Sequence, residues 1–192
     1  MYTPPRSAVQ IYYEVMKMTG DLRRRKPVLW LTVTAMLMAA NVVLSMSIFS
    51  IPVPGGHLYL NDVIIDTAAL LLDPLAAFVV GGVGAFLGDL LFYPTPMFVS
   101  LVTHGLQALV ISLFAHRWMK NRPVLASGVG VTVGAVIMVV GYSLGRAFIY
   151  STPEYAILKL PYQILQAAVG AVAGMLLCWK CGVKKAYDKL TK

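Results

Sequence analysis

Residues 140–166 read VGYSLGRAFIY-STPEYAILKLPYQILQ. Tyr142, Arg146 and Tyr150 recur every four residues, which puts them on one face of a helix as a polar-aromatic stripe. The helix is broken at Ser151-Thr152-Pro153, and Lys159, Gln163 and Gln166 then recur at four and three residues as a second stripe. Both stripes lie in surroundings as apolar as lipid. A charge in such a place is costly unless it faces a partner, water or a ligand. The rest of the chain reads as the housing for these two polar faces.

The composition defines that housing. Of 192 residues, 58% are hydrophobic and only 12% are charged, against about 25% charged in a soluble domain. This is the composition of an all-α integral membrane protein, and the length suits one compact bundle of about six helical spans. A net charge of +8 would point to nucleic acid in a soluble protein. Here the basic residues flank apolar spans and form no aromatic-interleaved basic face, so no nucleic-acid partner is expected and the lipid bilayer is.

Three regions follow. Residues 1–26 form an N-terminal segment in which Ile11, Tyr12, Val15 and Met18 make the apolar side of a short interfacial helix ending at Thr19-Gly20. The segment lacks the short apolar core and cleavage site of a signal peptide. Residues 27–180 hold the six-helix membrane domain, and residues 181–192 are a basic tail. The spans are expected at about 28–49, 58–72, 75–92, 97–115, 124–150 and 155–179. The second is too short to cross about 30 Å by itself, and is expected to stand buried among its neighbours or to continue from an ordered piece of the preceding loop.

Charge sets the orientation. With the N-terminus inside, fourteen of the sixteen Lys and Arg residues fall on the cytoplasmic side, and only Arg146 and Lys159 do not. Both termini are therefore expected in the cytoplasm, in a multi-pass protein of a bacterial-type cell membrane. That frame brings the intramembrane polar residues to the outer half: Asn61, Asp62 and Asp66 on span two, Asp89 and Tyr93 on span three, His104 and Gln107 on span four, and the two stripes on spans five and six. Few polar residues continue inward. The pattern describes a cup open to the outside and not a channel.

The substrate-binding residues expected in this cup are Asn61, Asp62, Asp89, Tyr93, His104, Gln107, Tyr142, Arg146, Tyr150, Lys159, Gln163 and Gln166. Such a mixture of donors and acceptors suits a small polar organic molecule, with tyrosine rings to pack on a flat one. For single residues a plainer reading competes: Arg146 pairing with Asp89 or Asp62, and Lys159 with another acid, as structural ion pairs. Pro52-Val53-Pro54-Gly55-Gly56 is expected to be a flexible lid. Four glycine pairs at four-residue spacing (84/88, 130/134, 141/145, 170/174) are expected mostly as internal helix contacts.

Catalytic chemistry finds little support. There is no phosphate-binding P-loop, so no nucleotide hydrolysis is expected on this chain. Cys178 and Cys181 form a lone C-x-x-C without redox or zinc context. His57, His104 and His116 are too dispersed for a metal site, and no metal or cofactor is expected on this chain. Asp62 and Asp66, one turn apart, are the nearest thing to a carboxylate pair. Helix capping or pairing with Arg146 or Lys159 explains them more cheaply.

From Val28 to Trp179 the chain resembles the substrate-binding S component of energy-coupling factor (ECF) vitamin transporters. The likeness rests on AMLMAAN in span one, HLYLND leading span two, DPLAAFVVGGVGAFLGDLLFY across span three, SLVTHGLQALVISLF in span four and LPYQILQAAVGAVAG in span six. It looks closest to the branch handling riboflavin-like, pyridoxine-like and hydroxymethylpyrimidine-like compounds. The resemblance implies high-affinity vitamin binding near the outer surface, partnership with a transmembrane coupling protein and two cytoplasmic ATPases that use ATP and magnesium, and reorientation of the whole subunit to release its cargo. It also implies that Ala35 and Ala39 meet the coupling protein. Tyr162-Gln163 departs from the Asn that the family often carries before Ile/Leu-Leu-Gln, so Gln166 carries over better than Gln163. The alternative is a small intramembrane enzyme or accessory assembly protein using Asp62, Asp66 and Asp89.

Overall fold

Prolines punctuate the bundle. Pro27, Pro74, Pro123 and Pro153 each open a long apolar helix, at the position where a missing backbone N–H costs nothing. Asp73 completes one of these starts by accepting hydrogen bonds from the Leu75 and Ala76 amides at 3.1 and 3.2 Å. The structure, a computed structural model, describes residues 20–118 and 122–191. The interfacial helix expected from Ile11, Tyr12, Val15 and Met18 lies outside the described residues.

The described elements run α1 (Gly20–Arg25), α2 (Pro27–Leu44), β1 (Ile51–Val53), β2 (Gly56–Leu58), α3 (Asn61–Leu71), α4 (Pro74–Phe92), α5 (Met97–Trp118), α6 (Pro123–Tyr150), α7 (Pro153–Lys180) and α8 (Val183–Thr191). Five of them, α2 and α4 to α7, are long and apolar enough to cross a membrane. The second expected span is α3. Its eleven residues reach about 16 Å at 1.5 Å per residue, about half a bilayer core. It survives there because it is wrapped: nine of its residues are buried, and it packs against α2, α5 and α7. Glycines allow the closest of these approaches. A Cβ on Gly170 would sit 2.5 Å from the Asp62 Cβ, and one on Gly174 would sit 2.9 Å from the Asp66 Cβ. The other three glycine pairs likewise face neighbouring helices.

Two expectations need correction and a third gains detail. The first span ends at Leu44 and not near Phe49, because the chain turns at Ser45, which bonds back to the Asn41 carbonyl, and Ser47–Phe49 forms a separate short turn. The segment 51–58 is no loose lid within an all-α fold. It forms a two-stranded antiparallel ribbon pairing Ile51 with Leu58, Pro52 with His57 and Val53 with Gly56. Pro54-Gly55 makes its turn, and Gly55 and Gly56 supply the φ of 80° and 140° that side chains resist. The basic tail is the helix α8, whose Val183 and Tyr187 pack on the core. Burial pushes the Tyr187 phenol up to about 12, with Asp73 adding to it.

The centre of the bundle is mainly apolar below α3's first two turns. Ile65, Leu70, Leu72, Val80 and Ile111 form a fully buried apolar cluster. In α4 a widened turn over Val79–Val83 leaves backbone carbonyls without their usual helical partners. The Asn41 side chain of α2 donates to the Val80 carbonyl at 2.6 Å, which answers the demand for internal partners in apolar surroundings.

Candidate functional site

Above that apolar core lies a polar layer that saturates itself. Asp62 and Asp66 stand one turn apart on α3, both almost wholly buried. The Gln107 amide of α5 donates to Asp62 at 3.2 Å and to Asp66 at 3.0 Å. His104, one turn earlier, donates from Nδ1 to Gln107 Oε1 at 2.8 Å, and the same nitrogen stands 3.6 Å from Asp62 Oδ1. Gln166 of α7 donates to the other Asp62 oxygen at 2.6 Å and accepts from the Tyr59 amide at 3.1 Å. One side-chain network thus joins α3, α5, α7 and the segment after the ribbon. Asp62 and Asp66 are neither caps nor partners of Arg146 or Lys159, as the sequence reading had it. Glutamine amides supply the hydrogen bonds that each carboxylate needs, without a second charge.

Over this layer opens a cavity of about 450 Å³, within the range of about 300–1,000 Å³ usual for small-molecule sites. Ten of the twelve expected residues line it: Asn61, Asp89, Tyr93, His104, Tyr142, Arg146, Tyr150, Lys159, Gln163 and Gln166. Asp62 and Gln107 do not. They sit behind the lining and hold His104 and Gln166 in place.

The stripe of α6 forms one wall. Tyr142 packs edge-on against His104, ring centroids 5.1 Å apart, and its hydroxyl donates to Ser100 Oγ at 2.5 Å. Ser100 in turn donates to the Asp89 carboxylate. Arg146 donates from one Nη1 to Gln163 Oε1 at 3.2 Å and lies 5.6 Å from the centre of the Tyr150 ring. Gln163 is held by its own donation to the Val139 carbonyl at 2.9 Å. The structural ion pairs considered for Arg146 and Lys159 do not form among the described residues: each takes a neutral oxygen acceptor. Lys159, 3% exposed, donates to the His57 carbonyl at 2.5 Å.

That last bond ties the ribbon to α7. The turn closes so tightly that a Cβ on Gly55 would stand 3.2 Å from the Lys159 Cβ. Gly55, Gly56, His57 and Tyr59 thereby join the lining. Burial, with Asp89 nearby, pushes the Tyr59 phenol up to about 12, so it remains a hydroxyl donor at ordinary pH.

Sequence reasoning placed Gly55 and Gly56 over the cup but missed Ser45, His57, Tyr59, Ala85, Pro96, Met138, Ser151 and Tyr155, all of which line the cavity. Three carried a usable signal. Ala85, Met138 and Tyr155 each stand four residues before a stripe member (Asp89, Tyr142 and Lys159) and so share its face. Elsewhere, Ala35 and Ala39 are exposed on α2, whose buried residues are Thr34 and Asn41. They belong to an outward apolar face and not to internal packing.

Comparison with known proteins adds the following. A family model described as ECF-type riboflavin transporter, S component, matches residues 27–183. The thiamine precursor transporter HmpT of Lactococcus lactis subsp. cremoris (strain MG1363) is 32% identical over 151 residues, covering 77% of this chain and 84% of its own length. A Pyrococcus woesei protein described as an uncharacterized protein in gap 3′ region is 30% identical over 135 residues, covering 69% of this chain and 88% of its own length.

Proposed function

The chain belongs to the family of ECF-type riboflavin transporter S components, and from that premise we propose that it is the substrate-binding membrane subunit of an ATP-driven importer for a water-soluble vitamin or vitamin precursor. It is a transporter component and not an enzyme. Pyridoxine-like or hydroxymethylpyrimidine-like compounds are the favoured cargo, in keeping with the thiamine-precursor name of the Lactococcus relative.

The observation that carries this reading is the cavity. Polar and aromatic side chains from α3 to α7 and the ribbon converge on one space of about 450 Å³, and an apolar core underlies it. A site that is polar at one level and sealed below suits capture and not conduction. In this reading both termini are cytoplasmic, the cavity faces outward, and delivery requires the subunit to reorient. The alternative of catalysis by Asp62, Asp66 and Asp89 has less in its favour. Two of the three carboxylates are engaged by glutamines behind the lining, and the third by Ser100.

The direct test is mass spectrometry of small molecules released when the purified protein is denatured. A single water-soluble vitamin or precursor near one per chain is the expected result. Absence of any such compound, together with no binding from a panel of vitamins, would refute the reading. In the same reading the exposed Ala35 and Ala39 receive a transmembrane coupling protein that works with two ATPases. Ala35→Trp and Ala39→Trp should each abolish co-purification of the coupling protein and leave vitamin affinity within about twofold, since neither side chain faces the cavity. Retained co-purification would remove these residues from the interface.

A further inference from the structure

We propose that the cavity's ligand carries an anionic group, a carboxylate or a phosphate ester, and that Arg146 and Lys159 hold it. The inference rests on the vitamin-binding reading of this cavity and narrows the class of compound.

Charges of both signs lie around the cavity, and the protein keeps them apart. Asp62 accepts from Gln107 and Gln166, and Asp89 accepts from Ser100. Arg146 donates to Gln163 and Lys159 to the His57 carbonyl. The acceptors of both cations are neutral oxygens. Among the described residues the ion pairs are His104 with Asp62 and Lys184 with Asp188, and neither involves Arg146 or Lys159.

That separation is informative because a simpler arrangement was open to the sequence. In a low-dielectric interior a buried cation is most cheaply held by an acid beside it. Here Lys159 is almost wholly buried, both cations line the same cavity, and the acids are occupied elsewhere. Each cation also keeps donors in hand. A guanidinium carries five N–H groups and an ammonium three, and one of each is used among the described residues. A guanidinium fork beside an ammonium is the donor set that carboxylates and phosphates accept best. A neutral ligand would leave both cations without an anion at ion-pair distance among the described residues.

A second observation orients the ligand. Asn61 lines the cavity, and its side-chain oxygen is buried with no hydrogen-bond partner among the described residues. An acceptor left in that state asks for an N–H or O–H from whatever fills the space. The ligand therefore offers a donor toward Asn61 and an anion toward Arg146 and Lys159, with the tyrosines of α6 left for its ring.

The test is titration of the full chain in lipid nanodiscs with two ring series. One is pyridoxine, 4-pyridoxate and pyridoxine 5′-phosphate. The other is hydroxymethylpyrimidine and its monophosphate. An anionic member should bind about tenfold or more tighter than its neutral parent, and the order of 4-pyridoxate and pyridoxine 5′-phosphate identifies carboxylate or phosphate as the preferred anion. Arg146→Gln and Lys159→Gln should each reduce that preference to about threefold or less. A neutral parent that binds as tightly as its anionic partners overturns the inference and leaves the vitamin-binding reading standing. Failure of every anionic member of both series to bind overturns the inference, while the vitamin-binding reading stands or falls on the mass spectrometry and vitamin panel. The comparison within the unaltered protein decides the point even where a variant folds poorly.

Discussion

The lining of the cavity and the layer directly behind it are both polar and both buried in apolar surroundings, yet they use their hydrogen bonds differently. Behind the lining, Asp62 and Asp66 share the Gln107 amide, Gln107 receives His104, and Gln166 joins Asp62 to the Tyr59 backbone. In the lining, Arg146 and Lys159 each make one hydrogen bond to a neutral oxygen, and the Asn61 oxygen makes none among the described residues. Leaving a buried polar group unmet costs about 1–3 kcal/mol. Residues that bear this cost are the ones a ligand can relieve. Saturation, more than burial or charge, separates framework from recognition here.

Asp62→Ala should break the comparison most severely. It strands two buried amide donors, those of Gln107 and Gln166, and frees the Tyr59 segment from its link to α3. The expected cost is about 3–5 kcal/mol of stability, read as a large fall in the thermal unfolding midpoint of the detergent-solubilised protein. Asp62→Asn should recover part of it, since the amide oxygen still accepts from one glutamine while its NH₂ opposes the other. An unchanged midpoint in the alanine variant would mean that the layer is no framework.

Arg146→Ala should give the complementary result. It removes one hydrogen bond to Gln163, which keeps its bond to Val139, so the midpoint should move little. Affinity for the co-purifying vitamin should fall by about 2 kcal/mol, or roughly thirtyfold, measured by calorimetry. Lost stability with unchanged affinity would place Arg146 in the framework instead.

The sequence made the lining easier to read than the layer behind it, for a physical reason. Helical spacing is local and fixed, so Tyr142, Arg146 and Tyr150, or Lys159, Gln163 and Gln166, declare a shared face without knowledge of the fold. Asp62 and Asp66 declared their common face equally well. Their partners lie some forty to one hundred residues away on α5 and α7, and no local period connects them. The reading therefore assigned them to caps or to cations, when glutamines hold them. The ribbon was illegible for a different reason. Strands of three residues are too short for an alternating pattern to register, and Pro52 and Pro54 argue for a loop. Ala85 and Met138 escaped because the search weighed polarity, whereas a cavity wall needs shape at those positions.

Tyr142→Phe tests the seam between the two regions, and its effect should be the smallest. The Tyr142 ring lines the cavity beside His104, while its hydroxyl reaches away to Ser100 and through it to Asp89. Removing the hydroxyl keeps the ring contact and leaves Ser100 still bonded to Asp89, so no charged group is stranded. A loss of about 1 kcal/mol is expected for one neutral hydrogen bond. Where that loss falls is the discriminating result. If it falls in the unfolding midpoint with affinity within about twofold, Tyr142 belongs by its hydroxyl to the framework, and only its ring serves the ligand. If it falls in affinity alone, the Tyr142–Ser100–Asp89 chain is part of the recognition surface, and the boundary lies one residue deeper than the hydrogen bonds within the protein place it.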